Sequence, residues 1–396
     1  MNPGRRMFWI PILLLGLGVA AVVAVLAYDG RGSEPTPVAG DPRIPIAMMG
    51  DSDTEPYQKH TSIWTAFRRA EDLPGGDYND ITWQWPEVLA RIRTDQVDLG
   101  PWGFWGVPRP FALSRVRELL GQRWRGPYRE TFRHSLAWAS PCWSIVRGPW
   151  AQAPQLRDLM DENPAAWRRG VVVIRIGVGT FGMVEHLAPL AKAADDPQER
   201  DQIDECVAAY EQAIVLLREH HPELRFVVVG VLNNADWTKY LHLWHSPAEL
   251  ANISTGLDRF DNGLRQLARR HPGVAFFDDR AWFARHWGGR GADGEPAYRY
   301  VDIPGTPRVG NTAGNAPHNA VLANQHAGTV WNVLWVQALV DLMRNELGVV
   351  ELTPIGDDEK ATFIRAALEA HAAQRPPGTI ALDEALAPTP VQGGKR

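Results

Sequence analysis

The chain has 396 residues, 45% of them hydrophobic and 22% charged, which is a globular composition long enough to bury a large core without staples. A formal charge of −5 excludes a basic footprint for nucleic acid, and two cysteines, Cys142 and Cys206, exclude a disulfide-framed scaffold or a cysteine-rich zinc module. The one abnormal count is 17 tryptophans.

A short basic stub, residues 1–6 with Arg5 and Arg6, precedes a charge-free apolar run from Met7 to Tyr28. That run is long enough to cross about 30 Å of hydrocarbon as a helix. With arginines before it and Asp29, Glu34 and Asp41 after it, the positive-inside bias leaves the N-terminus in the cytoplasm and exports the body. The reading is therefore an N-terminal transmembrane anchor over residues 7–28. A cleaved secretory signal ending near Val25-Leu26-Ala27 is the rival, although its apolar region would exceed the usual length of about 7–15 residues. In an oxidising compartment Cys142 and Cys206 either pair or remain buried thiols.

Residues 29–43 are rich in Gly and Pro and read as a linker. Beyond them a strand-then-helix rhythm begins. Ile44–Met49, Val171–Ile176, Phe226–Val231 and Val274–Phe277 are short, continuous apolar runs. Such runs suit parallel strands buried on both faces. Helical patterns fall at Pro86–Arg93 and at about 183–194, 200–219 and 256–270, and Thr329–Leu347 closes the series. This alternation predicts an α/β fold, a doubly wound parallel sheet in three α/β/α layers, over residues 44–347. Residues 348–396 are expected to hold a helix over 357–373 and then a disordered tail.

Gly50-Asp51-Ser52 follows the first strand directly. In an open parallel sheet ligands bind at the carboxyl ends of strands, and a serine on a glycine-allowed turn there can be activated by a histidine. As a bare tripeptide the sequence is also an ordinary turn. Two further blocks come next: Trp83-Gln84-Trp85-Pro86-Glu87-Val88-Leu89, then Val97-Asp98-Leu99-Gly100-Pro101-Trp102-Gly103. Together the three resemble the opening of the SGNH (GDSL-type) hydrolases. In that family the serine of GDS is the nucleophile, a second-block glycine and a third-block asparagine complete the oxyanion hole, and a late histidine, usually in D-x-x-H, is the base. The resemblance implies Ser52 as nucleophile and Ser52 and Gly103 as backbone oxyanion donors. It also implies the flavodoxin-like sheet of that family.

The base implied is His326, at the entrance of the last helix, with His318 as its competitor. Two positions depart from the family. Gly179 stands where the third-block asparagine belongs, leaving Thr180 as a substitute donor. Ala323 stands at the D-x-x-H aspartate, leaving a backbone carbonyl or Asp302 to orient His326. The run Gly177-Val178-Gly179-Thr180-Phe181-Gly182 also matches a dinucleotide fingerprint, but no acidic residue tips the next strand, and a tight turn is the commoner meaning. His242 and His245 lack accompanying carboxylates at metal spacing. No cofactor and no metal are therefore expected.

Trp83, Trp85, Trp102, Trp105, Trp124, Trp138, Trp143 and Trp150 crowd around the second block and the insertion at about 104–170. Such density either fills a core or lines a groove. As a groove it would suit a sugar ring, an acyl chain or an aryl ester. The expectation is an exported serine esterase acting on the ester of an acylated carbohydrate or on another ester. An SGNH-like O-acyltransferase and a catalytically inactive glycan-binding protein on the same fold are the alternatives.

Overall fold

The computed structural model describes residues 41–57, 82–106 and 125–374. The apolar run Met7–Tyr28, the tail beyond residue 374 and part of the tryptophan-rich insertion, residues 107–124, lie outside the described residues. Among the described residues no helix is long and apolar enough to cross a membrane.

The strands in chain order begin with β1 (Ile44–Gly50), β2 (Val97–Asp98), β3 (Trp102–Trp105), β4 (Arg129–Phe132), β5 (Val171–Arg175), β6 (Arg225–Val229) and β7 (Val274–Phe277). Five of them form one sheet in the order β2-β1-β5-β6-β7, every pair parallel. Renumbered within the sheet this is 2-1-3-4-5, the flavodoxin-like order, whose topological switch point lies between β1 and β5. The register sets Ile46 against Val171 and Val172 against Phe226.

The continuous apolar runs are explained by burial on both faces. On one face Ile44, Ile46, Met48, Val171, Val173, Val227 and Phe277 pack against helices α1 (Trp85–Ile92), α6 (Asp279–Trp287), α7 (Thr329–Leu347) and α8 (Asp357–Gln374). On the other, Ala47, Met49, Val172, Ile174, Phe226 and Val228 meet α2 (Gln152–Met160), α3 (Val184–Lys192), α4 (Pro197–His220) and α5 (Pro247–Arg270). Every residue of β1 and β5 is buried. The chain is a mixed α/β protein around a parallel central sheet.

Helix α5 begins at Pro247, well before the expected start near residue 256. Proline suits a first helical turn, where its missing N–H has no partner to lose. Gly256 then sits mid-helix because α3 passes close by: a Cβ there would come within 2.6 Å of the Leu190 side chain. Three short strand pairings, with no counterpart among the expected elements, fill the stretch between α6 and α7. Strands β8 (Gly288–Arg290) and β9 (Pro296–Tyr298) form a hairpin, and β10 (Tyr300–Val301), β11 (Val309–Ala313) and β12 (Asn319–Val321) form a small sheet. Cys142 and Cys206 are paired as a disulfide that ties the 3-10 turn Cys142–Ile145 to α4.

The tryptophans divide between core and surface. Trp85 packs against Trp335 at a centroid distance of 5.1 Å and Trp138 against Trp150 at 5.6 Å. Trp85, Trp150 and Trp167 are buried, whereas Trp143 is exposed. Trp124 lies outside the described residues.

Candidate active site

Strand β1 delivers Asp51-Ser52-Asp53-Thr54 to the switch point of the sheet. Only glycine fits at its last position, because a Cβ on Gly50 would lie 2.6 Å from both the Arg175 carbonyl oxygen and the Thr54 hydroxyl. Gln152, fully buried on α2, grips this residue with both ends of its amide. Its Oε1 accepts from the Gly50 N–H at 2.8 Å and its Nε2 donates to the Gly50 carbonyl at 2.9 Å. The Asp51 carboxylate accepts from the Asp53 N–H and from the Gly177 N–H, each at 3.0 Å. It therefore pins the turn after β1 to the turn after β5. Burial, aided by the charge of Asp53, pushes Asp51 up to about 7, while the two N–H donors and Arg175 pull the other way. Ser52 is half-buried in this turn, and its carbonyl accepts from Gln84 Nε2 at 3.3 Å. Gln84 also caps α1, so the block at 83–89 is the buttress of the serine turn.

The His326 loop is moored to the same region. Tyr57, at the end of the serine's turn, donates its hydroxyl to the Ala327 carbonyl at 2.8 Å. Its ring packs against the His326 ring at a centroid distance of 5.5 Å. Asn332 on α7 donates to the Trp83 carbonyl at 3.0 Å and to the Ala327 carbonyl at 3.3 Å. The serine turn and the histidine loop are thus linked by Tyr57 on one path and by Trp83–Gln84 and Asn332 on another. The Asn324 side chain accepts from the His326 N–H at 3.1 Å. Ala323 is exposed, its N–H donating to Asn315 at 3.2 Å.

The other candidates lie as follows. Thr180, in the single helical turn Val178–Phe181, accepts from the Cys142 N–H at 2.9 Å. One lone pair is committed there, and the hydroxyl proton is left to donate elsewhere. Gly179 is exposed, and a Cβ on it would meet only the Ser140 carbonyl oxygen, at 3.8 Å. Gly103 sits in the antiparallel β3–β4 ribbon opposite Thr131, where a Cβ would find ordinary contacts. The glycine that this loop requires is Gly100, at φ +73°, where a Cβ would lie 2.7 Å from Arg133 Cβ. Asp302 is exposed and paired with Arg308 at 3.0 Å. His318 is half-buried, its carbonyl accepting from Gly310 at 3.0 Å. In the dinucleotide-like turn, the Gly177 N–H that would face a phosphate donates instead to Asp51. Among the described residues no group of three or more His, Cys, Asp or Glu could hold a metal ion.

Sequence reasoning gave no role to the charges beneath the serine turn. Arg175, the last residue of β5, is buried. It donates to the Asp53 carbonyl at 3.1 Å and pairs with Asp279 at 3.3 Å. Its guanidinium stacks 4.5 Å above the Trp335 ring, and Trp335 Nε1 donates to Asp279 at 2.9 Å. Burial opposes the charge of Arg175, yet Asp279, Asp53 and Asp51 hold its pKa above the ordinary value. Burial raises Asp279, against the pull of Arg175 and Trp335. The available signal was positional: Asp279 opens α6 two residues beyond the end of β7, at the carboxyl edge where α/β sheets place their functional groups.

No known family model matches the chain, and no curated protein matches it. Among solved structures it is similar to an extracellular lipase from Streptomyces rimosus, at 16% identity and a TM-score of 0.38, covering 76% of this chain and 99% of the other. It is also similar to a protein described as a GDSL-like lipase from Parabacteroides merdae, at 12% identity and a TM-score of 0.35, covering 77% of this chain and 96% of the other. Both likenesses are loose, and the functional reading rests on the residues themselves.

Proposed function

We propose that the chain is an extracytoplasmic serine esterase of SGNH type. The observation that carries this reading is the mooring of the His326 loop, through Tyr57 and Asn332, to the turn that holds Ser52 at the switch point. Ser52 Oγ attacks the ester carbonyl carbon while His326 takes its proton. The imidazolium then protonates the departing alkoxide, leaving an acyl-enzyme that water hydrolyses by the same steps in reverse order. The Ser52 N–H, with Gly103 and Thr180 as further donors, holds the oxyanion. Labelling with a fluorophosphonate tests the reading: wild-type protein labels and Ser52→Ala does not. Absence of labelling together with absence of ester turnover overturns it.

The open surroundings of Gly179 favour a second reading, an O-acyltransferase in which a sugar hydroxyl replaces water as acceptor. In either case an asparagine should fit. Gly179→Asn is expected to raise turnover of a small acetyl ester about tenfold or more, since one oxyanion donor is worth about 10²–10³ in rate. Unchanged or lower kcat would show that another donor already fills that place.

The Cys142–Cys206 disulfide supports export, because such bonds persist in oxidising compartments. With the apolar run Met7–Tyr28 as anchor, full-length protein is expected in the membrane fraction, its body protected from protease on the cytoplasmic side. Soluble mature protein beginning near Tyr28 would show a cleaved signal instead.

A further inference from the structure

The histidine loop is held in a conformation its own sequence does not favour. Gln325, immediately before His326, has φ +71°, and it is the one non-glycine residue at positive φ among the described residues. A side chain bearing a Cβ is disfavoured there, and such positions persist when the surroundings over-determine them. Here the surroundings grip from two sides. Thr238, in the loop after β6, donates its hydroxyl to Gln325 Oε1 at 2.9 Å. On the other side Tyr57, buried at 6% exposure, donates to the carbonyl of Ala327, the residue after His326. Its ring lies against the imidazole with an interplanar angle of 56°. One hydroxyl thus holds the side chain of the residue before the histidine and another the carbonyl of the residue after it, and the tyrosine ring adds a wall against which the imidazole rests.

We propose that Tyr57 is a positioning residue for His326, acting with Thr238 on the opposite side of the loop, an inference that rests on the serine-esterase reading. Tyr57 belongs to the same turn as Ser52, so base and nucleophile are registered to each other through one short segment. A base that drifts by about 1 Å from its productive position loses on the order of 10²-fold in rate. The Tyr57 hydroxyl supplies one of the contacts that limit that drift, and Asn332 shares the same carbonyl.

The test uses the full-length chain, with p-nitrophenyl acetate as the ester probe. Tyr57→Phe keeps the ring and removes the hydrogen bond. The expected result is a fall in kcat of about tenfold with KM changed less than about twofold, since the contact serves the reacting geometry rather than substrate binding. The acid limb of the kcat/KM profile is expected to move to higher pH, because an imidazole loosened into water holds its proton more readily. A merely structural role would leave that limb in place. Wild-type kcat with an unmoved acid limb in Tyr57→Phe overturns the proposal. Should that variant fail to fold, Thr238→Val, which frees the loop from its other side, decides by the same two readouts. Fluorophosphonate labelling of the wild type separates the two levels. A wild type that neither labels nor turns over ester overturns both readings. A labelling wild type with an indifferent Tyr57→Phe overturns this one alone.

Discussion

Ser52→Ala is expected to lower ester turnover by about 10⁴–10⁶-fold while leaving the fold intact, and removing His326 as well should cost little more. The first half follows from chemistry: the residual rate comes only from the oxyanion donors and substrate binding, which survive the substitution. The second half follows from the proposed pairing of the two residues as a unit, in which a base left without its nucleophile has no proton to take. The fold should hold because the contact this residue makes with the α1 buttress runs through its backbone carbonyl to Gln84, which alanine keeps. Steady-state rates of the two single variants and the double variant on p-nitrophenyl acetate check it, alongside a thermal unfolding curve for each. Turnover within tenfold of wild type in Ser52→Ala would place the nucleophile elsewhere.

The sheet could be read from the sequence because its strands are buried on both faces. Val171–Arg175 and Arg225–Val229 carry apolar residues at nearly every position, a pattern that surface strands do not show. The small sheets of β8–β12 escaped because strands of two to five residues, some with Gly or Pro, carry too little periodicity. The serine turn could be read because glycine, aspartate and serine meet at a strand end. Tyr57, Gln152, Thr238 and Arg175 could not, since each acts through a partner 87 or more residues away in sequence. Only the fold brings Gln152 to Gly50 or Thr238 to Gln325. Gly103 shows the converse: a motif position can match while the local backbone assigns the glycine requirement to Gly100.

Arg175→Met is expected to destabilise the protein by about 3–5 kcal/mol near neutral pH, the cost of leaving buried charge uncompensated. Methionine fills much of the same volume and can rest on Trp335, so the loss isolates the charge rather than a cavity. What remains is a cluster of buried carboxylates, Asp51, Asp53 and Asp279, whose shared cation has gone. The pH dependence then has a definite sign. Asp51 already binds its proton more tightly in the folded state, at about 7 against an ordinary 3.8. Its stabilising contribution is therefore present in acid and is lost as pH rises towards neutrality. Arg175 lowers the pKa of both Asp51 and Asp279. Without it both rise further, and the loss of stability with rising pH becomes steeper. At pH 4, well below the value of about 7 for Asp51, the deficit should shrink, because the wild type then buries its guanidinium with one countercharge fewer. Urea unfolding of both proteins at pH 4 and pH 7.5 measures it. A deficit that is equal at the two pH values, or larger in acid, would mean that Arg175 stabilises the serine turn through its hydrogen bond to the Asp53 carbonyl rather than through its charge.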